Sequence, residues 1–255
     1  MFEKRWLLLA LLLLLALPGR AEEPPRLSEC QTVEQVEAIV LYPGEGGLPV
    51  PVEAGKIRYI SQDTEKEPAF CAEYWYGGEP GSELDLTIEE TPGHVRYSYY
   101  ARNMCTRAVY SMALSYLGVD LTPGGMSAML ERRVVSAPYD ETTDLLSGVE
   151  RVTYRSFVFQ NMYEAYSSGE GYSPVYLYFR RPNGVTHAVL VVAQREDGRY
   201  IVVDPKYHEV DGVPVHVYSM ALSKDKRSIV NSDFGREQAG SVVLGYGQWR
   251  LVEPE

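Results

Sequence analysis

The sequence lacks a Lys/Arg run, and with 24 basic against 35 acidic residues its formal charge is −11. Phosphate backbones are held by clustered cations, so nucleic-acid binding is excluded as a function class. A polybasic membrane-surface patch is excluded on the same ground. Histidine is scarce, four in 255 residues, and the Asp and Glu residues keep no metal-ligand spacing. No metal site is therefore expected. The glycine cluster at Gly44, Gly46 and Gly47 lacks the Lys and Ser or Thr of a phosphate loop, and nothing else signals a cofactor. There is no internal repeat. Long apolar runs are absent too: the longest, Trp6 to Leu17, has twelve residues, short of the ~20 that span a bilayer.

What is present is a globular composition, 45% hydrophobic with 20 tyrosines, too apolar for a disordered chain. Lys4 and Arg5 precede the short apolar run, and Gly19 and Ala21 follow it as small residues at a cleavage site. Residues 1–21 therefore read as a secretory signal of bacterial style. Its removal takes away Lys4, Arg5, Arg20 and Glu3, leaving a more acidic mature protein. The expected location is secreted or extracytoplasmic, with no membrane insertion after the signal is removed.

Export changes the meaning of the three cysteines, because thiols tend to pair in an oxidising compartment. Cys30 and Cys71 both lie in the N-terminal third and are expected to form a disulfide, stabilising by about 4 kcal/mol if chain entropy dominates. Cys105 is left over.

Residues 22–95 read as a strand-rich N-terminal region. Short β-favouring runs at Val36–Tyr42, Lys56–Ser61, Phe70–Tyr76 and Leu84–Glu89 are separated by Gly/Pro turn clusters. Residues 96–255 form a second domain. Its apolar spacing predicts an amphipathic helix over 104–117 stopped by Gly118, then helices over 125–133, 140–146 and 156–167. Strands follow at Val175–Phe179, Thr186–Gln194, Arg199–Asp204, Val213–Tyr218 and Ser241–Val252. Helices first and antiparallel strands later make an α+β fold, with the helices packed on one face of a C-terminal sheet.

The chemistry-bearing residues converge on this second domain. Cys105 opens its helix, where the partial positive charge of the helix start favours thiolate over thiol. His187 opens a strongly apolar strand, whereas His94, His208 and His216 lie in loop-like or edge contexts. Asp197 and Gly198 make a hairpin turn, and the returning strand ends at Asp204 and Pro205. A plain hairpin sets Gln194 opposite Tyr200 and Leu190 opposite Asp204, with His187 one strand-step beyond the carboxylate. Nucleophile, base and orienting carboxylate are thus Cys105, His187 and Asp204.

A helix-start Cys105, then His187 leading Ala188–Val192, then Asp197–Val203 closing on Asp204 and Pro205: this pattern resembles the papain-like cysteine peptidases. Within that superfamily it is most similar to the bacteriocin-leader-processing, double-glycine type. The resemblance covers about residues 97–205 and implies a papain-like fold, a Cys105–His187–Asp204 triad and a peptide or protein substrate. It departs from the family in two places. Where such peptidases place an oxyanion-hole Gln upstream of the nucleophile, this chain has Tyr99, with Asn103 nearer the Cys as a substitute. Thr106 and Arg107 replace the small pair that follows it. The expected activity is a cysteine hydrolase cleaving peptide or isopeptide bonds through a thioester. The alternatives are a transglutaminase-like acyl transferase and a non-catalytic extracellular binding domain on the same scaffold.

Overall fold

The structure is a computed structural model that describes residues 25–43, 50–62, 105–123, 149–152, 159–169 and 171–252. The expected signal, the strands at 70–76 and 84–89, and the helices at 125–133 and 140–146 lie outside the described residues, as do Cys71, Tyr99 and Asn103.

The described N-terminal part departs from its expected form. A 3-10 turn at Leu27–Glu29 leads into α1 (Val33–Glu37) and only then into β1 (Val40–Leu41). Of the run expected as a strand at Val36–Tyr42, Val36 and Glu37 are therefore helical and only Val40–Leu41 is strand. The reason is a capping box: the Gln35 N–H donates to the Thr32 hydroxyl at 3.3 Å, and the Gln35 side chain accepts from the Thr32 N–H at 3.2 Å. The run expected at Lys56–Ser61 contracts to β2 (Ile57–Arg58), which pairs parallel with β1.

Helix α2 (Cys105–Tyr116) buries ten of its twelve residues. Its spacing reads as amphipathic, yet the segment carrying β2 closes over part of it. The Arg58 N–H donates to the Ser115 hydroxyl at 2.9 Å, and the Gly55 N–H donates to the Tyr116 carbonyl at 2.8 Å. Gly118, at φ +79°, ends the helix. Its N–H donates to the Ser115 carbonyl and the Val119 N–H to the Leu114 carbonyl, the paired bonds of a left-handed C-terminal cap.

The remaining elements are β3 (Val149–Val152), α3 (Phe159–Ser168), β4 (Val175–Arg180), β5 (Thr186–Gln194), β6 (Tyr200–Val210), β7 (Val213–Leu222), β8 (Ile229–Ser232), α4 (Gly235–Gln238) and β9 (Val242–Leu251). β3 escapes the sequence reading because Glu150 and Arg151 interrupt its apolar character. Seven strands form one antiparallel sheet in the order β3-β9-β4-β5-β6-β7-β8. The sheet curls, because Ser228 bridges to Val242 and the Val243 N–H donates to the Arg227 carbonyl. Among the described residues the architecture is mixed helix and sheet, with few helices against a curled antiparallel sheet.

Each face of the sheet carries a core. On one side Ala188, Leu190 and Val203 pack with α2 and with Leu27, Val36 and Ile57 of the N-terminal part. On the other side Val189, Val191 and Val202 pack with Phe159, Met162 and Tyr166 of α3. β5 is buried without interruption from His187 to Ala193, as expected of a strand covered on both faces.

The β5–β6 hairpin differs from its expected pairing by one residue. Gln194 faces Tyr200 and Ala193 faces Ile201, but Val191 then faces Val202 and Leu190 faces Val203. Val192 is a bulge, left without a partner on β6. Leu190 therefore does not oppose Asp204. In the plain hairpin His187, three residues from Leu190, falls on the opposite face from Asp204. With the bulge, Asp204 alternates with Val202, His187 alternates with Val189 and Val191, and the two share a face.

Candidate active site

Three elements bring the site together. Cys105 is the first residue of α2, His187 the second residue of β5, and Asp204 lies in β6 where its regular pairing with β7 breaks. The structure brings all three side chains into one buried chain of contacts. The Cys105 thiol lies beside the His187 ring and the Ala188 backbone N–H, both of which favour its ionised form. The His187 Nε2 lies 2.7 Å from Oδ1 of Asp204, with His187 3% and Asp204 0% exposed. With Nε2 committed to the carboxylate, Nδ1 is the ring nitrogen facing sulfur, so the tautomer is set by the Asp204 bond.

The electrostatics follow from these partners. Burial alone pushes the Cys105 thiol up. The hydrogen bond and charge of His187 outweigh it, with the Ala188 N–H and the Thr106 hydroxyl adding to them, and hold the thiol below its ordinary range. Burial also disfavours the charged form of His187, but the Asp204 carboxylate outweighs it and raises His187 to about 9. Asp204 is itself buried, which favours its neutral form, yet His187 and His208 hold it well below the usual carboxylate range. The thiol is shifted down and the imidazole up, both in the direction of a thiolate–imidazolium pair.

Sequence reasoning missed what lies behind Asp204. Its Oδ1 also accepts from the Lys206 N–H at 2.8 Å. Its Oδ2 accepts from His208 Nε2 at 3.0 Å and from the Tyr218 hydroxyl at 2.8 Å. Its backbone carbonyl accepts from the Tyr59 hydroxyl at 3.1 Å, and that hydroxyl sits 2.8 Å from Nδ1 of His216. His208 and His216, read as loop or edge residues, are both buried within β6 and β7. The available signal was Pro205: a proline inside a strand marks a bulge, and β6 carries one between Val203 and His208.

The other expected site residues are Tyr99, Asn103, Cys30 and Cys71. Tyr99 and Asn103 lie outside the described residues. Cys30 is a free, buried thiol, and the Cys71 of the expected Cys30–Cys71 disulfide lies outside the described residues. The Cys30 S–H donates to the Arg26 carbonyl at 3.6 Å, and burial pushes the thiol up to about 11. Among the described residues no group of three His, Cys, Asp or Glu side chains is placed to hold a metal ion. No helix among them is long and apolar enough to cross a membrane.

No protein-family model, no curated protein and no solved structure matches this chain significantly.

Proposed function

We propose that this chain is an exported cysteine hydrolase of papain-like type that cleaves peptide or isopeptide bonds in a peptide or protein substrate, outside the cytoplasm. The observation that carries the reading is the buried chain from the Cys105 thiol through His187 to Asp204, whose last link is 2.7 Å. The resemblance of the segments around Cys105, His187 and Asp204 to the papain-like peptidases supports it. So does the opposed direction in which the thiol and the imidazole are shifted.

In this mechanism His187 Nδ1 takes the Cys105 proton and the thiolate sulfur attacks the carbonyl carbon of the scissile bond. The developing oxyanion lies toward the start of α2, where backbone N–H groups and the helix dipole favour negative charge. The imidazolium then gives its proton to the leaving amine as the carbon–nitrogen bond breaks, leaving a thioester on Cys105. Water deprotonated by His187 attacks the thioester and regenerates the thiol. Asp204 accepts from Nε2–H throughout, holding the ring orientation and stabilising its charged form without taking the proton. An amine in place of water turns the same thioester into acyl transfer, so the two reactions share every residue named here.

The test is the rate of Cys105 alkylation by iodoacetamide against pH, in the native protein and in His187→Ala. A thiolate reacting well below the free-thiol pKa of ~8.5, lost in His187→Ala, supports the hydrolase. An inert Cys105, or one indifferent to His187, overturns it and leaves a binding domain.

A further inference from the structure

Two hydrogen bonds on the far oxygen of Asp204 have no part in the mechanism above, and they belong to a longer chain. The Ser232 hydroxyl donates to Gln238 Oε1 at 2.8 Å, and the Gln238 amide donates to the Tyr218 hydroxyl. Tyr218 in turn donates to Oδ2 of Asp204 at 2.8 Å. His208 Nε2 reaches the same oxygen at 3.0 Å, its ring stacked on Phe234 with centroids 4.2 Å apart at 18°. Ser232, Gln238, Tyr218, His208 and Asp204 are all buried.

Each bond orients the next. Ser232 can donate only to the carbonyl end of the Gln238 side chain, so the amide end is aimed at Tyr218. A tyrosine hydroxyl that accepts from an amide has its single proton left for the carboxylate. Oδ2 thus receives two fixed donors, and the carboxylate is locked in the rotation that presents Oδ1 to His187. The flanking charges are Lys206, 3.3 Å from Glu237, and Arg181, 3.8 Å from the same carboxylate.

We infer that His208 and Tyr218 are positioning residues for the base, with Gln238 and Ser232 orienting Tyr218: by occupying Oδ2 of Asp204 they hold Oδ1 on His187. The inference rests on the Cys105–His187–Asp204 reading. It adds that the base is aligned from β6, β7, β8 and α4 jointly, so the sheet end beyond Asp204 is part of the site.

The test measures Cys105 alkylation against pH in the full chain carrying Tyr218→Phe, His208→Leu, His208→Gln or His187→Ala, with the melting temperature of each. Tyr218→Phe and His208→Leu are expected to displace the profile upward by about one pH unit, a tenfold slower reaction at pH 6. His208→Gln, whose amide places an N–H where Nε2–H was, is expected to stay within about twofold of the native rate. Should His208→Leu fail to fold, Tyr218→Phe, which removes one oxygen and little volume, carries the same test. A profile unmoved in Tyr218→Phe but displaced in His187→Ala overturns the positioning inference alone. A profile unmoved in His187→Ala overturns the triad itself. A lowered melting temperature with an unmoved profile assigns His208 and Tyr218 to stability only, which also overturns the inference.

Discussion

The Tyr166 hydroxyl donates to the Val192 carbonyl at 2.8 Å, across 26 residues of chain, and Val192 is the bulged residue of β5. A buried carbonyl that has lost its ladder partner needs another donor, and α3 supplies it. The bulge in turn sets which face His187 shares. Tyr166→Phe leaves that carbonyl unpaired in the core and is expected to destabilise by about 1–3 kcal/mol. Denaturant midpoints of the two proteins check this; a change under ~0.5 kcal/mol counts against the role given to Tyr166.

The pH dependence of turnover follows from the paired shifts. In the proposed hydrolase, thiolate forms as pH rises through the lowered Cys105 value, while the imidazolium that would protonate the leaving amine is lost as pH rises through about 9. Turnover is expected to be bell-shaped, rising below the ordinary thiol range and falling near pH 9. Alkylation needs no acid and is expected to plateau instead. A fall in alkylation at high pH contradicts the assignment.

Stability responds to the same groups with opposite signs. His187 has its folded value raised to about 9 from 6.5, so its contribution is complete below the lower value and disappears as pH rises through the upper one. Asp204 has its folded value depressed, so its contribution is present above the ordinary carboxylate value of 3.8 and disappears as pH falls. Cys105 has its folded value lowered, so its contribution grows as pH rises toward the ordinary thiol value and offsets the alkaline loss from His187. Unfolding free energies are expected to fall at acid pH, and a decline toward pH 9 is expected only in Cys105→Ala, which removes that offset.

Asp204→Asn removes the charge that supports His187 and leaves an amide facing several donors. The His187 value is expected to fall from about 9, and alkylation at pH 6 to slow by a factor on the order of ten for each unit gained by the thiol. Turnover is expected to drop by on the order of 10³–10⁴, as in other triads whose carboxylate becomes an amide. An unchanged alkylation profile denies Asp204 its place.

Gly247 faces Tyr176 across β9 and β4, and a Cβ there would collide with the Tyr176 ring. That ring is buried and packed against Tyr110 at 4.9 Å, so it has little room to move. Gly247→Ala is expected to cost about 1–3 kcal/mol by overpacking. Gly198→Ala, where a Cβ would meet open space but φ is +81°, separates backbone strain from collision.

The site was more legible than the frame around it. Cys105, His187 and Asp204 could be named from their places at the start of a helix, the start of an apolar strand and the end of a hairpin. The register joining them could not. The Val192 bulge has no local signature in a run of valines, and its carbonyl partner comes from a helix many residues upstream. His208 and Tyr218 stayed hidden for a related reason: the break in β6 after Val203 turns His208 back toward a carboxylate four residues earlier. The N-terminal part was misread at Val36 and Glu37, where a capping box outweighed β-favouring composition, though Val40–Leu41 is a strand as expected, and its packing against α2 left no mark in its own sequence.

One consequence concerns the order in which the chain becomes available. The Tyr59 hydroxyl bonds the Asp204 carbonyl across 145 residues, and the Gln62 N–H bonds the neighbouring Pro205 carbonyl at 2.7 Å. Synthesis delivers Tyr59 and then Cys105 long before His187, and the β6–β9 half of the sheet last. Contacts so distant in sequence cannot form while the C-terminal strands are still within the ribosome. The Cys105 thiol therefore emerges well before His187, and the contacts that lower its pKa form only once most of the chain has been made.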